Sequence, residues 1–330
     1  MEMPCKKIMR CPVFAKAALL LVLFAAPAAA QEWPAKPVRI VAPFAAGGAS
    51  DILGRLIAER LTRALGQQFL IDNRGGAAGM IGSAGVATAE PDGYTLLVSG
   101  NASHIIAPAF YGTATYDGVK GFTHIAYLGG VPVGMLVHSS LNVRTYREFL
   151  TWAKAQNKPI DYVSSGTATY GYLFGSELAR KEGLAFNHIP YKGAGPAMLD
   201  LVAGFVRVAT ISFSTGAEHV RSGTLRALGI SSNERLRSFP DVPTFKELGH
   251  EDMTSGSWFA ISGPPNLPAA IVSKLNREVR KILQDPEVRQ RLDNDGFETR
   301  DMSVEEIQKF FVSESERWGP IAKALSGSAK

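Results

Sequence analysis

The chain has 330 residues, with 35 Lys and Arg against 30 Asp and Glu, a formal net charge of +5 and 46% hydrophobic residues, which excludes a disordered polyelectrolyte. Its 33 Gly and 19 Pro fall in no three-residue period, which excludes a collagen-like chain. After the first 30 residues, no stretch approaches the roughly 18 consecutive apolar residues of a membrane helix.

Those first 30 residues read as a secretory signal. Lys6, Lys7, Arg10 and Lys16 precede an apolar run from Ala17 to Ala26, and Ala28-Ala29-Ala30 offers a cleavage site before Gln31. Removing 30 from 330 leaves 300 residues, enough for about two domains. Four basic residues and Glu2 leave with the signal, so 31 basic residues face 29 acidic ones, a net of +2 that gives no reason to invoke nucleic acid. Cys5 and Cys11 leave as well, so the mature chain has no thiol nucleophile, disulfide or Cys-ligated metal. Export without cysteine suits a bacterial periplasm, and no cysteine stands at the cleavage site to carry a lipid.

Val38 to Phe44 is a short run rich in β-formers, and Ser50 to Leu65 carries Ile52, Leu53, Leu56, Ile57 and Leu61 at helical spacing. A strand, a glycine loop and a helix are therefore predicted. Phe69 to Asp72 predicts a strand, Met80 to Ala89 a helix ended by Pro91-Asp92-Gly93, and Tyr94 to Ser99 a third strand. Strands alternating with helices require right-handed crossovers and a parallel sheet, the α/β class. Ile125 to Ser139 is a long apolar stretch broken by Gly129, Gly130 and Pro132, read as the first crossing between domains. Beyond it come a helix from Tyr146 to Ala155, a strand from Ile160 to Ser164, a helix from Tyr170 to Lys181, and a strand from His188 to Tyr191. A helix from Pro196 to Ala203, a strand from Val206 to Ser212, a helix to Arg221 and a strand from Leu225 to Ile230 complete this series. Trp258 to Ser262 predicts a strand that returns to the first sheet, followed by helices at Ala269 to Leu283, Pro286 to Leu292 and Val304 to Leu325. The resulting scheme is a clamp of two hinged lobes, residues 31–132 with 258–330 and residues 133–257, each a mainly parallel sheet flanked by helices and joined by two crossings. A single large doubly wound sheet is the alternative.

Enzyme signatures are missing. Ile81 stands where a G-x-S-x-G elbow around Ser83 needs its first glycine, and there is no phosphate loop or H-E-x-x-H. Gly193-Ala194-Gly195 lacks the third glycine of a dinucleotide fingerprint, because Met198 occupies that position, so no cofactor is expected. His104, His124, His138, His188, His219 and His250 include no i, i+3 or i, i+4 pair, so neither a metal site nor a catalytic residue is assigned. His104 stands out only because it follows a candidate site loop.

That site is read from loops after strands. Ala42 to Asp51 joins the first strand to the first helix through Phe44, Ala46, Gly47 and Gly48, and Ser50 or Asp51 can cap the helix. Glycines let backbone approach a ligand, and free amides at a helix start favour a carboxylate. An ordinary capped strand-to-helix turn explains the same loop. Ser99 to His104, with Asn101 and Ser103, is a second loop. Ser164 to Tyr170, with Ser165, Gly166, Thr167 and Thr169, is a third, and Ser212 to Gly216 a fourth. Ligands of open α/β sheets bind beyond the carboxyl ends of strands, so all four can line one cleft walled by Phe44, Tyr170 and Tyr191.

Several segments together resemble a known family. They are Pro37 to Asp51, Asp72 to Gly79, Pro91 to Leu96, Tyr191-Lys192-Gly193 with Leu201 to Gly204, and Pro240 to Thr244 with Glu247-Leu248-Gly249. Across essentially the whole mature chain they resemble the extracytoplasmic solute receptors of tripartite tricarboxylate transporters, the Bug-type receptors. The resemblance implies a periplasmic protein whose two α/β lobes close on a small organic acid and deliver it to the membrane permease subunits of the transporter. It places a ligand carboxylate, with ordered water, at Gly47-Gly48 and at Ser165 to Thr169. The chain departs from the family where Gly166, Thr167, Ala168, Thr169 and Tyr172 replace a more glycine- and serine-rich loop with a following histidine. It departs again at Gly204-Phe205-Val206-Arg207, and at Ile211, where members often carry aspartate. These changes favour an apolar or aromatic carboxylate. A monomeric, non-enzymatic receptor is expected; a ligand sensor and an exported hydrolase or lyase using His104 with a nearby serine are the alternatives.

Overall fold

The strand and helix alternation takes shape in a computed structural model that describes Glu2 and residues 32–326. The signal read at residues 1–30 lies, Glu2 apart, outside the described residues. The chain divides into a leader, Met1–Ala35, and a body, Lys36–Lys330. The strands are β1 (Val38–Ala42), β2 (Phe69–Asn73), β3 (Thr95–Gly100), β4 (Thr123–His138), β5 (Ile160–Ser164), β6 (Phe186–Pro190), β7 (Val208–Ser212), β8 (Leu225–Ile230) and β9 (Gly256–Gly263). They hydrogen-bond in the order β2-β1-β3-β9-β4-β7-β5-β6, with β8 also on β4.

The outer strands are parallel, β1 with β2 and β3, and β5 with β6 and β7. Around β4 and β9 the pairing is antiparallel, so each half is a mixed sheet. The apolar stretch read as a crossing is one continuous strand of 16 residues. Its first part, Thr123 to Pro132, pairs with β9; from Val133 onward it pairs with β7 and β8. Pro132 therefore stands where one ladder hands over to the next, a position at which a missing N–H is tolerated. Register shifts before Ala126 and Gly129 bend the strand. The result is a curled sheet carrying two α/β lobes, a clamp.

The helices are α1 (Ala49–Leu65), α2 (Met80–Ala87), α3 (Ala107–Tyr111), α4 (Tyr146–Lys154), α5 (Tyr170–Glu182), α6 (Ala194–Val202), α7 (Phe213–Arg221), α8 (Ala269–Gln284), α9 (Pro286–Asn294) and α10 (Val304–Ser326). In α1 the spaced Leu53, Leu56, Ile57 and Leu61 are buried, and Gly66 ends the helix in the left-handed region with its N–H on the Thr62 carbonyl. None of the helices among the described residues is long and apolar enough to cross a membrane.

Two segments read as loops are helical. β3 runs through Gly100, and a π-helical turn over Ala102–Ile106 then leads into α3. Pro108 lies in the first turn of α3, a position that tolerates its missing N–H. Likewise α7 begins at Phe213, directly after Ser212. The core is continuous through Phe149, Tyr162, Phe245 and Phe311. Trp318 of α10 packs edge-on to Tyr170, 5.1 Å between rings, and so anchors the first residue of α5.

α5 is seated on β7 through Gly171, whose carbonyl accepts from the Thr210 hydroxyl at 2.9 Å. A Cβ there would lie 2.3 Å from the Thr210 carbonyl oxygen. Gly171→Ala should therefore cost about 1–3 kcal/mol of stability. A thermal unfolding midpoint unchanged from wild type would show that α5 does not need this approach.

Candidate functional site

The loop between β1 and α1 is shaped by a side chain inside the helix. Gly47 turns with φ +83, and Gly48, not Ser50 or Asp51, is the N-cap; its extended backbone receives no side-chain cap. Asp51 instead reaches back: it accepts from the Gly47 amide at 3.0 Å, from Arg55 Nε at 3.0 Å and from Asn73 at 2.9 Å. Asn73 also donates to the Phe44 carbonyl at 3.2 Å, locking the other end of the loop. Burial alone would raise the Asp51 carboxyl, but the bonds from Arg55, the Gly47 amide and Asn73 outweigh it and hold the carboxyl below its usual 3.8. Asp51 thus fixes the loop and spends its charge on Gly47 and Arg55.

The facing loop is held by its own helix cap. Thr169 caps α5 and donates its hydroxyl to the Gly166 carbonyl at 2.7 Å. Gly166, at φ +133, passes close to the Tyr191 carbonyl, where a Cβ would come within 2.7 Å. Ser164 Oγ donates to the same Gly166 carbonyl and receives the Gly166 amide at 3.2 Å.

Between these loops lies a cavity of about 40 Å3, room for roughly three waters or one carboxylate. It is lined by the starts of α1 (Gly48, Ala49, Ser50), the π-helical turn (Asn101, Ala102, Ser103), α5 (Thr169, Gly171), α6 (Ala194) and α7 (Ser212). Phe44, Val98, Gly100, Ser165, Ser257 and Phe259 complete the wall, and none of the lining residues is charged. The first amides of a helix have no intrahelical acceptor, and the helix dipole adds a positive potential at that end. Five helix starts on one uncharged cavity are an arrangement that suits an anion.

A second chamber of about 150 Å3 shares Phe44 and Ser165 with the first. Gly166, Thr167, Tyr111, Tyr191 and Lys192 line it, together with the backbone turn at Gly76, Ala77 and Ala78. The Tyr191 hydroxyl donates to Asp200; burial, that bond and the Asp200 charge push it up to about 12, so it stays neutral.

Of the residues read from sequence, Phe44, Gly48, Asn101, Ser103, Ser165, Thr169 and Ser212 line the inner cavity, and Gly166, Thr167 and Tyr191 the outer one. Ala46 and Gly47 lie instead against the start of α6. The Ala45 amide donates to the Lys192 carbonyl at 3.2 Å, and a Cβ on Gly195 would come within 1.9 Å of the Ala46 carbonyl. Asp51 stands behind the loop, and Tyr170 is 4% exposed against Trp318, in the core and outside both cavity walls. Ile211 is fully buried in β7 and lines neither chamber, so its apolar side chain does not face a ligand there. Phe205 is exposed on the surface. Gly193, Ala194 and Gly195, read as a failed dinucleotide motif and, for Gly193, as part of the family resemblance, meet the first loop. Ser257 and Phe259 gave no signal in the sequence, because strand residues contribute to a site only through topology.

His104 is fully buried next to Ser103, its Nδ1 2.9 Å from the Ser103 Oγ. Hydrolytic triads present Nε2 to the nucleophile and Nδ1 to a carboxylate. Here Nε2 has no partner among the described residues and no acid orients the ring, so the pair does not form such a triad.

This fold and cavity define a clamp-type solute-binding protein. Residues 53–326 match the family described as tripartite tricarboxylate transporter family receptor. The chain is 30% identical over 307 residues to Protein BugT of Bordetella pertussis, covering 93% of this chain and 94% of that one. Among solved structures it is similar to the periplasmic binding protein BugD, at 30% identity and a TM-score of 0.84 over 89% of this chain and 99% of that one. It is also similar to an R. palustris protein solved with adipate, at 30% identity and a TM-score of 0.85 over 90% and 99% of the two chains. The chain belongs to the tripartite tricarboxylate transporter receptor family, as its motifs from Pro37 to Gly249 indicated.

Asp51 supplies a test of how the loop is held. Its folded carboxyl lies below the unfolded value, so its contribution to stability is whole above that value and fades as pH falls through the folded one. Asp51→Asn should lose about 1 kcal/mol in urea unfolding at neutral pH. The difference from wild type should shrink once the solution is more acidic than the usual 3.8. A difference that persisted unchanged into strong acid would mean the Asp51 charge is not what holds Gly47.

Proposed function

We propose that this receptor captures a small organic acid whose carboxylate sits in the inner cavity on backbone amides and hydroxyls from both lobes. The lobes run over residues 31–132 with 258–330 and residues 133–257. The convergence of five helix starts on a cavity without a charged side chain carries this reading. Charge-assisted hydrogen bonds contribute about 1.5–3 kcal/mol each, so three or four suffice for the roughly 8 kcal/mol of micromolar binding.

The rest of the acid passes between Phe44 and Ser165 into the outer chamber. Tyr111 and Tyr191 give that chamber aromatic walls, which favours an apolar or aromatic tail. The adipate seen in the R. palustris relative has an apolar chain of this kind between its carboxylates. Export through residues 1–30, action as a monomer and delivery to permease subunits complete the proposal.

Calorimetry with adipate, benzoate and citrate tests it: adipate or benzoate should bind with micromolar affinity, and citrate more weakly. Tight citrate binding with no response to the other two would overturn the apolar preference. Recovery of the bound acid unchanged after long incubation separates a receptor from a hydrolase or lyase. Gly195→Ala places a Cβ against the Ala46 carbonyl, so it should prop the lobes apart and weaken the acid at least tenfold. X-ray scattering of that variant should show less compaction on adding the acid; full compaction would refute the closure contact.

A further inference from the structure

Ser103 reaches the inner cavity, and what its hydroxyl presents there depends on the residue behind it. Its backbone is fixed, since the Tyr116 hydroxyl donates to the Ser103 carbonyl. The His104 backbone is fixed too: a Cβ on Gly118 would lie 1.8 Å from the His104 carbonyl oxygen, so that strand of loop fits only with glycine there. The imidazole lies among Phe122, Phe311, Tyr116 and His124, with ring centroids 4.5 to 6.1 Å away. Burial, with the neighbouring His124, holds its pKa well below the usual 6.5, so the ring is neutral and carries one proton.

A neutral imidazole has one donor and one acceptor nitrogen. Nε2 meets no acceptor among the described residues. Nε2 is unpaired in either tautomer, at about 1–3 kcal/mol whether as donor or as acceptor, so the choice falls to Ser103: with an anion in the cavity the Nδ1–H form makes two hydrogen bonds through that hydroxyl and the Nε2–H form one. On Nδ1 the ring proton reaches the Ser103 Oγ at 2.9 Å. The Ser103 oxygen then accepts, and its own hydrogen is released. Among the described residues that hydrogen finds the Gly100 carbonyl, 3.5 Å away and at the limit of a hydrogen bond. A carboxylate in the cavity is the stronger acceptor. In the opposite tautomer Ser103 would donate to His104 and turn a lone pair toward the anion.

We infer that His104 is a positioning residue for binding, a buried Nδ1–H donor that forces the Ser103 hydroxyl to act as a donor to the ligand carboxylate. The inference rests on the receptor reading above, and it gives a task to a buried histidine that stands directly behind the inner cavity.

The experiment joins a spectroscopic and a binding arm on the full chain. Nitrogen-15 NMR of the histidine-labelled protein should show His104 protonated on Nδ1; an Nε2–H tautomer overturns the inference without any variant. For binding, adipate and benzoate are titrated and the one that binds wild type is used. His104→Leu and Ser103→Ala should each weaken it about tenfold. The double variant should be no weaker than Ser103→Ala. His104→Asn, which restores an amide donor near the Nδ1 position, should recover most of the affinity. A merely structural histidine would give additive losses and no rescue by asparagine, and either result refutes the inference. Should wild type bind neither acid, the receptor reading fails, while the tautomer still decides the orientation of Ser103.

Discussion

A carboxylate held by main-chain amides requires that the main chain itself be held, and this constraint organises the site. A side chain can adjust by rotating about its bonds, whereas an amide can be aimed only by fixing the residues on both sides of it. The structure does so wherever a helix start meets the cavity. Asp51 ties Gly47 to the first turn of α1, Thr169 ties Gly166 to the first turn of α5, and the Asn101 side chain donates to the Gly256 carbonyl at 3.0 Å. Asp51 lies behind the cavity surface, whereas Thr169 and Asn101 stand in its wall. Polar residues that would be read as ligands therefore also act as braces, and glycine, alanine and serine make up much of the cavity wall.

The same constraint explains the small residues at the rim. Gly193 and Gly195 let α6 approach the loop from Ala45 to Gly47 at backbone distance, since a Cβ on either would meet Ala45 or Ala46. Gly79, at φ +90, leaves space for both Ser103 and the Phe44 ring. Such approach shortens the path between helix ends in different lobes, which one small anion must bridge.

Much of this was legible in the sequence where structure follows from local pattern. The spacing in α1, the punctuation by Pro91-Asp92-Gly93 and the alternation from Ile160 to Ile230 placed the elements to within a few residues. The loop glycines pointed to the inner cavity. What was not legible depends on contacts distant in sequence. The long β4 looked interrupted because Gly129, Gly130 and Pro132 discourage a strand locally, and only the exchange of partners at Pro132 shows why they are accepted. Asp51 looked like a cap because position favours it, but its partners Asn73 and Arg55 lie on a neighbouring strand and one turn along. Tyr170 looked like a wall residue because it follows a site loop, and Trp318, far along the chain, draws it into the core instead.

The distribution of donors over two lobes also bears on how binding drives closure. A ligand shifts an equilibrium only by its difference in affinity for the two states. One arginine on one lobe would grip an acid almost as well in the open form as in the closed form, and would contribute little to shutting the clamp. Here α1 and the π-helical turn approach from one side, and α5, α6 and α7 from the other, each contributing a fraction of the attraction. The inner cavity has no charged side chain in its lining, from either half. On the proposed reading, most of the binding free energy appears only when the halves meet, and donors shared between them couple occupancy to closure.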